Sequence, residues 1–230
     1  MRLRLAVLAL CGAIALRSEA AGDVYKFLNE IPIGGEGGWD ILTADSAARR
    51  LYVSHTAKVV VVDLEKNAVA GEITDTPGVH GLIPVPEIER GFSTNGKENK
   101  SSVVDLKTLK TMSKIDTGDG PDAFAYDAKR GEVYILNHKG NSATVIDAKN
   151  AKAVATVQLG GAPEFGVSDD AAGRIYVNLE DKSEVAVIDN HTHKLINTWP
   201  ATPGEEPSGM AFDGKHHRLF LGCEIGRAHV

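Results

Sequence analysis

Short runs of apolar residues recur along the chain at a nearly constant interval. Apolar or alternating runs of four to six residues, rich in Val, Ile and Tyr, are separated by turns of Gly, Asp, Asn and Lys. This pattern is typical of β-strands, and no stretch between the runs has the spacing of an amphipathic helix. The sequence therefore predicts an all-β protein built from short strands.

The interval between equivalent runs is 42 residues over most of the chain. Four runs end in an aspartate, at Asp63, Asp105, Asp147 and Asp189. An earlier aromatic residue keeps nearly the same interval, at Tyr52, Phe92, Tyr134, Tyr176 and Phe220. Four antiparallel strands in each repeat of about 42 residues predict the blades of a β-propeller. The repeated aspartate can accept hydrogen bonds from its own turn, so its recurrence has a structural explanation.

The repeat also predicts how the chain is divided. We expect complete blades over about 37–73, 78–115, 121–159 and 163–200, then half a blade over 207–223. Residues 24–33 match the fourth strand of a blade, which in a propeller would close the ring. The last seven residues, 224–230, fit no part of the repeat and resemble a translated sequencing adapter. We therefore expect a C-terminally truncated fragment with a non-native tail.

The repeat carries a resemblance to a known family. The strands with "LYV", "VYI" and "IYV", followed by "VxVID", resemble those of YVTN-repeat propellers, and the blade openings resemble exported YncE-like proteins. The similarity covers about residues 24–223. It implies seven blades and a monomer in the full-length protein. It implies little about activity, because propellers host many unrelated functions.

The first 20 residues predict export. Arg2 and Arg4 precede the apolar run "LAVLALCGAIAL", and "SEA" follows as a small-residue cleavage site. These are the parts of a secretory signal peptide, and the apolar run is too short to span a membrane. We expect a periplasmic or secreted protein without a membrane span.

Charge and cysteine content narrow the function classes. The chain has a net charge of −6, and removal of residues 1–20 leaves 22 basic and 30 acidic residues, a net charge of −8. That balance opposes binding to nucleic acid or anionic lipid. Outside the signal peptide the single cysteine is Cys223, and no Cys-x-x-Cys-His motif for a c-type haem occurs.

Candidate chemistry lies in the loops that lead into the first strand of each repeat. One polar position per repeat stands beside Gly or Pro, at Asp40, His80, Asp122, Glu164 and Ser208. By symmetry we expect these side chains on one rim of the channel, with Trp39 as a stacking face and Glu206 as an added charge. Asp40, His80, Asp122 and Glu164 could hold a divalent cation, with Ca²⁺ or Mg²⁺ favoured over Zn²⁺. Alternatively, these side chains only satisfy backbone groups where the chain turns.

A second set of candidates follows the second strand of each repeat. Its members are His55, Asn95, Asn137, His138 and Asn178. Asn, Gly and Lys are common in exposed turns, so composition favours a structural role for this set.

No catalytic residues are assigned from the sequence. It contains no G-x-S-x-G elbow, no phosphate-binding Gly-rich loop and no His-Glu-x-x-His motif. The leading hypothesis is an exported, non-catalytic module that binds a small ligand, a cation or a partner protein at the acidic channel mouth. The alternatives are a metal-dependent, lactonase-like hydrolase or a redox propeller. A third is single-stranded DNA binding, with which some YncE-like relatives are associated and which the acidic charge opposes.

Overall fold

The fold consists of antiparallel strands in five consecutive sheets. The structure, a computed structural model, describes residues 25–225 and 227–229. The chain divides into a unit that ends at Glu30 and a second unit that begins at Ile31. In the first unit the described residues, 25–30, carry exposed side chains and no strand.

Each of the first four sheets contains four strands in sequence order. The first sheet contains β1 (Trp39–Asp45), β2 (Arg50–His55), β3 (Lys58–Asp63) and β4 (Ala68–Ile73). The second contains β5 (Val79–Val85), β6 (Arg90–Asn95), β7 (Lys100–Asp105) and β8 (Lys110–Asp116). The third contains β9 (Pro121–Asp127), β10 (Glu132–Asn137), β11 (Ser142–Asp147) and β12 (Lys152–Gln158). The fourth contains β13 (Pro163–Asp169), β14 (Arg174–Leu179), β15 (Glu184–Asp189) and β16 (Lys194–Pro200).

The fifth sheet and two short helices complete the described elements. The fifth sheet contains β17 (Glu205–Asp213), β18 (Arg218–Ile225) and β19 (Arg227–His229). Single 3-10 turns follow β5 and β14, at Pro86–Ile88 and Glu180–Lys182. The prediction of an all-β propeller with four-stranded antiparallel blades is confirmed.

The hydrophobic core lies between the faces of successive sheets. The middle strands are buried on both faces, which explains their unbroken apolar runs; Val59–Val62 in β3 is at most 2% exposed. Leu136 and Val145 of the third sheet share one cluster with Ile175 and Ala186 of the fourth. The fourth strand of each complete sheet is largely exposed. The first strands contact one another from sheet to sheet, so residues at their beginnings lie close together.

At the two ends of the repeat region the described strands do not form a complete four-stranded sheet. The predicted closing strand, 24–33, does not form in its described residues, 25–33. A strand requires a neighbour to satisfy its N–H and C=O groups, and these residues have none among the described strand pairings. The tail was expected to fit no part of the repeat, yet β19 pairs with β18 as a third strand. The predicted signal peptide, residues 1–20, lies outside the described residues.

Candidate functional site

The polar residues at the starts of the first strands stand at breaks in strand pairing. Val79 pairs with Asn95 and Gly81 with Thr94, so His80 is the extra residue of a β-bulge. Asp122 is the extra residue between Pro121 and Ala123 in the same way. Pairing is also interrupted at the three other positions, namely Asp40, Glu164 and Ser208. A bulge changes the direction in which the side chain of the extra residue points. The five positions therefore share an irregular backbone as well as an equivalent place in the repeat.

Asp40, His80 and Asp122 form the first group of candidate ligands. His80 Nδ1 lies 2.8 Å from Asp40 Oδ2 and 3.0 Å from Asp122 Oδ1. One ligand atom from each residue lies within 4.8 Å of those of the other two. The three residues come from β1, β5 and β9, the first strands of three successive sheets. The group is therefore assembled between repeats.

A second group contains Asp122, His138 and Glu164, with the same mutual limit of 4.8 Å. His138 follows the end of β10; its Nδ1 lies 2.8 Å from Glu164 Oε1 and 4.0 Å from Asp122 Oδ2. Its other nitrogen, Nε2, lies 3.9 Å from Glu180 Oε2. Asp122 belongs to both groups. We call the combined set the mouth cluster: Asp40, His80, Asp122, His138, Glu164 and Glu180.

The backbone of Asp122 is fixed by a buried hydroxyl. Thr94 Oγ1 donates a hydrogen bond to the main-chain carbonyl of Asp122 at 2.5 Å and accepts one from the amide of Gly81 at 2.9 Å. Thr94 is fully buried in β6. This bridge connects the second sheet to the third beside the mouth cluster. It therefore fixes the position of the Asp122 backbone.

Burial and mutual repulsion raise the proton affinity of the carboxylates. Burial is the main cause that raises the pKa of Asp122, and the nearby Asp40 carboxylate adds to the shift. The pKa of Glu164 rises to about 7, first through burial and then through the negative charges of Asp122 and Glu180. The adjacent imidazoles oppose both shifts. The mouth cluster thus carries more negative charge than its own residues can neutralise.

Trp39 lies beside the first group but contacts another candidate. Its ring stacks on His55, with centroids 3.8 Å apart and planes at 10°. Trp39 is 46% exposed and, with Asp40, His80 and Lys97, lines a surface cleft of about 250 Å³. His55 is buried, and neither ring nitrogen has a hydrogen-bond partner among the described residues. His55 therefore supports Trp39 and does not join the mouth cluster.

The three asparagines of the second candidate set are buried in the framework. Asn95 Nδ2 donates to Glu98 Oε1 and Ser102 Oγ. Asn137 Nδ2 donates to Ser142 Oγ and Thr144 Oγ1, and Asn178 Nδ2 donates to the carbonyl of Gly209. All three side chains are fully buried. Of this set, the structure brings only His138 into the mouth cluster.

The fifth sheet adds no member to the mouth cluster among the described residues. Ser208 is exposed at the bulge of β17. Glu206 is exposed two residues earlier, and its pKa is raised chiefly by a hydrogen bond shared with Glu224. Both positions therefore lie outside the two ligand groups.

Sequence reasoning did not name Glu180, and it placed His138 with the second set of candidates, whereas both lie beside Glu164 or its partners in the structure. Both residues directly follow the second strand of a repeat, and they are 42 positions apart. The repeat interval applied to these loops, as it was to the first strands, would have put them at equivalent places. Their approach to Glu164 depends on the bulge in β13, and the residue types in that strand do not predict a bulge.

Comparisons with known proteins bear on the fold. No family model matches the chain. No curated protein matches it either. Among solved structures, the hydrazine synthase of Kuenenia stuttgartiensis is similar, with a TM-score of 0.73 and 16% sequence identity. The match covers 78% of this chain and 54% of that chain, so the chain spans about half the length of that protein.

The described part of the chain contains no helix long and apolar enough to cross a membrane.

At 16% identity the similarity to hydrazine synthase concerns the fold alone. Together with the consecutive four-stranded antiparallel sheets, it identifies this chain as a β-propeller.

Proposed function

We propose that the chain belongs to an exported binding protein, related to the YVTN-repeat propellers, that takes up a cation at the acidic mouth cluster. The observation that carries the proposal is the convergence of four carboxylates and two imidazoles, contributed by successive repeats, around Asp122. A small cationic group could use the same charges. The expectation of export comes from residues 1–20 and from the resemblance.

Electrostatics favours a cation over an anionic partner. Among the ion pairs of the described residues, no lysine or arginine pairs with Asp40, Asp122, Glu164 or Glu180. Carboxylate oxygens and imidazole nitrogens are the donors that divalent cations use in proteins. Burial is the main cause of the raised pKa of Glu164, and a bound cation would relieve the repulsion from Asp122 and Glu180 that adds to it.

Calorimetric titration of the chelator-treated chain tests the proposal. The probes are Ca²⁺, Mn²⁺, Zn²⁺ and the organic cation putrescine. We expect at least one to bind, and Asp122→Asn to weaken that binding by at least about tenfold, or about 1.4 kcal/mol. Glu65→Gln is the matched control, because Glu65 is exposed in the turn between β3 and β4, at the opposite end of the strands. No binding by any probe, or equal binding by Asp122→Asn, would refute the proposal.

A metal-dependent hydrolase is the second candidate. With a cation held by Asp40, His80 and Asp122 alone, Glu164 would stand beside the ion, and its pKa, about 7 in the metal-free chain, suits a general base near neutral pH. A cation in the mouth cluster would supply an activated water. Lactone hydrolysis that requires an added divalent cation and is lost in Glu164→Gln would favour the hydrolase. Cation binding without turnover would leave the binding protein as the function.

A further inference from the structure

The two ligand groups share the carboxylate of Asp122, and a different oxygen of it faces the imidazole of each group. Oδ1 of Asp122 faces His80 at 3.0 Å, whereas Oδ2 faces His138 at 4.0 Å. Asp40 lies only in the first group and Glu164 only in the second. A carboxylate with a separate set of partners at each oxygen has the arrangement of a bridging ligand between two cations.

We propose that the mouth cluster holds two divalent transition-metal cations, the first bound by Asp40, His80 and Asp122 and the second by Asp122, His138 and Glu164. The inference rests on the proposed cation binding at this cluster and adds the number, position and class of the ions.

The ligand spacing is compatible with one cation in each group. Nitrogen and oxygen ligands bound at about 2.0–2.2 Å from one ion lie within about 4.4 Å of each other. The candidate atoms of each group lie within 4.8 Å of one another. Small side-chain rotations are therefore enough to bring all three atoms of a group to one ion.

Protons alone do not satisfy all the contacts between carboxylate oxygens and the Nδ1 atoms of His80 and His138. His80 Nδ1 faces two carboxylate oxygens, at 2.8 and 3.0 Å, and it can carry a single proton. His138 Nδ1 is buried and lies 2.8 Å from Glu164 Oε1, yet the two are not aligned for a hydrogen bond. At His80 a proton on Nδ1 can serve only one of the two carboxylates, as in its hydrogen bond with Asp40 Oδ2, so both imidazoles leave carboxylate lone pairs that could share a cation.

Charge supports two ions over one. The four carboxylates of the mouth cluster carry four negative charges when ionised, and the two imidazoles supply at most two positive charges. Two divalent cations would balance the carboxylates with both imidazoles neutral. Glu180 faces Nε2 of His138 at 3.9 Å, which favours the proton on that nitrogen and leaves Nδ1 free for a metal.

The donor types select the class of cation. Each group offers one imidazole nitrogen and two carboxylates. Imidazole suits Zn²⁺ and neighbouring transition metals, whereas Ca²⁺ and Mg²⁺ prefer sites made of oxygen alone. The sequence-based preference for Ca²⁺ or Mg²⁺ counted one histidine among four ligands. With His138 included, Zn²⁺ or Mn²⁺ is the better choice.

Native mass spectrometry with Zn²⁺ tests the number and positions of the ions. The whole chain is stripped with a chelator, exchanged into volatile buffer and loaded with Zn²⁺ alone. We expect two ions in the wild-type chain and in Glu65→Gln. Asp40→Asn and Glu164→Gln should each retain one ion, and Asp122→Asn should retain neither at the same Zn²⁺ concentration. Loss of an ion from Glu65→Gln would place a site elsewhere and overturn the proposal.

The outcomes separate this inference from the proposed function. A wild-type chain with a single ion would overturn the two-ion site and leave cation binding intact, whereas no bound ion would overturn both. If Asp122→Asn fails to fold by circular dichroism, the two single-site variants still decide the number.

Electron paramagnetic resonance with Mn²⁺ gives an independent readout. Two ions bridged by a carboxylate, about 3.5–4 Å apart in known two-metal sites, should show exchange coupling. Asp40→Asn should restore the six-line signal of an isolated ion. An uncoupled signal from a doubly loaded wild-type chain would rule out the bridge.

Discussion

At the scale of single residues, the carboxylates of this chain divide into two electrostatic classes. Aspartates at the ends of the third strands accept backbone hydrogen bonds, as Asp147 Oδ1 does from the amide of Asn150 at 2.8 Å. These bonds are the main cause that lowers the pKa of Asp105, Asp147 and Asp189. In the mouth cluster, burial and like charge raise the pKa of Asp122 and Glu164 instead. The ionised carboxylates of the first class stabilise the fold. Those of the second class destabilise it when no cation is bound.

Glu164 should make the metal-free chain less stable as the pH rises. Its pKa rises from 4.5 to about 7 on folding, so the folded state binds this proton more tightly than the unfolded state. The free energy of unfolding should therefore fall between pH 4.5 and about 7. Glu164→Gln should reduce that slope, of which the raised pKa of Asp122 leaves a part, and should stabilise the chain at pH 8 by about 1–2 kcal/mol, after allowance for solvent screening.

Urea denaturation in the presence of a chelator, at several pH values, measures this effect. Glu65→Gln serves as the control and should keep the wild-type slope. Equal slopes for the wild type and Glu164→Gln would contradict the electrostatic account of the mouth cluster.

Asp147 should show the opposite sign. Its pKa is lowered on folding, so its contribution is present above the ordinary pKa of an aspartate and is lost as the pH falls through the lowered value. Asp147→Ala should destabilise the chain by about 1 kcal/mol at pH 7, with the difference shrinking in acid. Asp116→Ala is the comparison, because Asp116 is exposed and its ion pair with Lys100 lies on the surface. A similar loss for both variants would disprove the turn-bonding role.

The sequence reveals the repeat position of the mouth residues but not their convergence. The interval of the repeat put Asp40, His80, Asp122 and Glu164 at equivalent places, and the structure brings all four together. Asn95, Asn137 and Asn178 looked like exposed turn residues, yet they are buried because their amides bond neighbouring loops and strands. Burial of a polar side chain depends on the surrounding backbone, which residue type alone does not specify.

At the scale of elements, the turns between the third and fourth strands repeat one strained conformation. Equivalent residues there adopt left-handed φ values, at Asn67, Leu109, Ala151 and His193. Asparagine tolerates this region, whereas alanine pays a steric penalty of about 1–2 kcal/mol. The turn after β3 therefore carries the better residue, and that after β11 carries a poorer one.

Replacement of Ala151 by the residue used at the equivalent turn should stabilise the third sheet. Ala151 has φ of 51°, and Asn67 has φ of 52°. Ala151→Asn should raise the free energy of unfolding by about 0.5–1 kcal/mol, measured as a higher Tm. Ala151→Val should lower it, because β-branched residues fit this region worst. A lower Tm for Ala151→Asn than for Ala151→Val would show that side-chain packing outweighs backbone strain.

Strand order and the number of sheets could be predicted from the sequence because both are encoded in regular repeats of the apolar pattern. Alternation with a period of two and the 42-residue interval together specify strands and their grouping. The bulges were not accessible, since a single extra residue leaves the apolar pattern on either side unchanged. The segment over 25–33 shows the converse, because it has strand-like residues without a described strand to pair with.

At the scale of the whole molecule, stability depends on how closely the first strands of successive sheets approach. A Cβ atom added to Gly81 of β5 would lie 2.5 Å from Phe124 Cε1 in β9 and 3.2 Å from Ile41 Cδ1 in β1. Phe124 is buried in the core, so its ring has little freedom to move away. Three sheets thus meet at a position where only a hydrogen atom fits.

Gly81→Ala should destabilise the chain by about 1–3 kcal/mol, because the added methyl group must separate packed sheets. The repeat supplies its own control at Gly209, the equivalent residue of β17. There an added Cβ meets no atom of the described residues within 4 Å. Gly209→Ala should change the stability by no more than about 0.5 kcal/mol in urea denaturation. Equal losses at the two glycines would mean that the penalty comes from the strand backbone and not from packing between sheets.

The bulges at the starts of the first strands have an evolutionary consequence. In each of the first four sheets a bulge presents one side chain to the mouth cluster, and the strands pair regularly on both sides of the bulge. Substitutions in single repeats can therefore change the ligand atoms of the mouth cluster one at a time. Gene copies that share this scaffold could therefore come to differ in the charge and donor atoms of the mouth cluster through a few point changes, without a new fold.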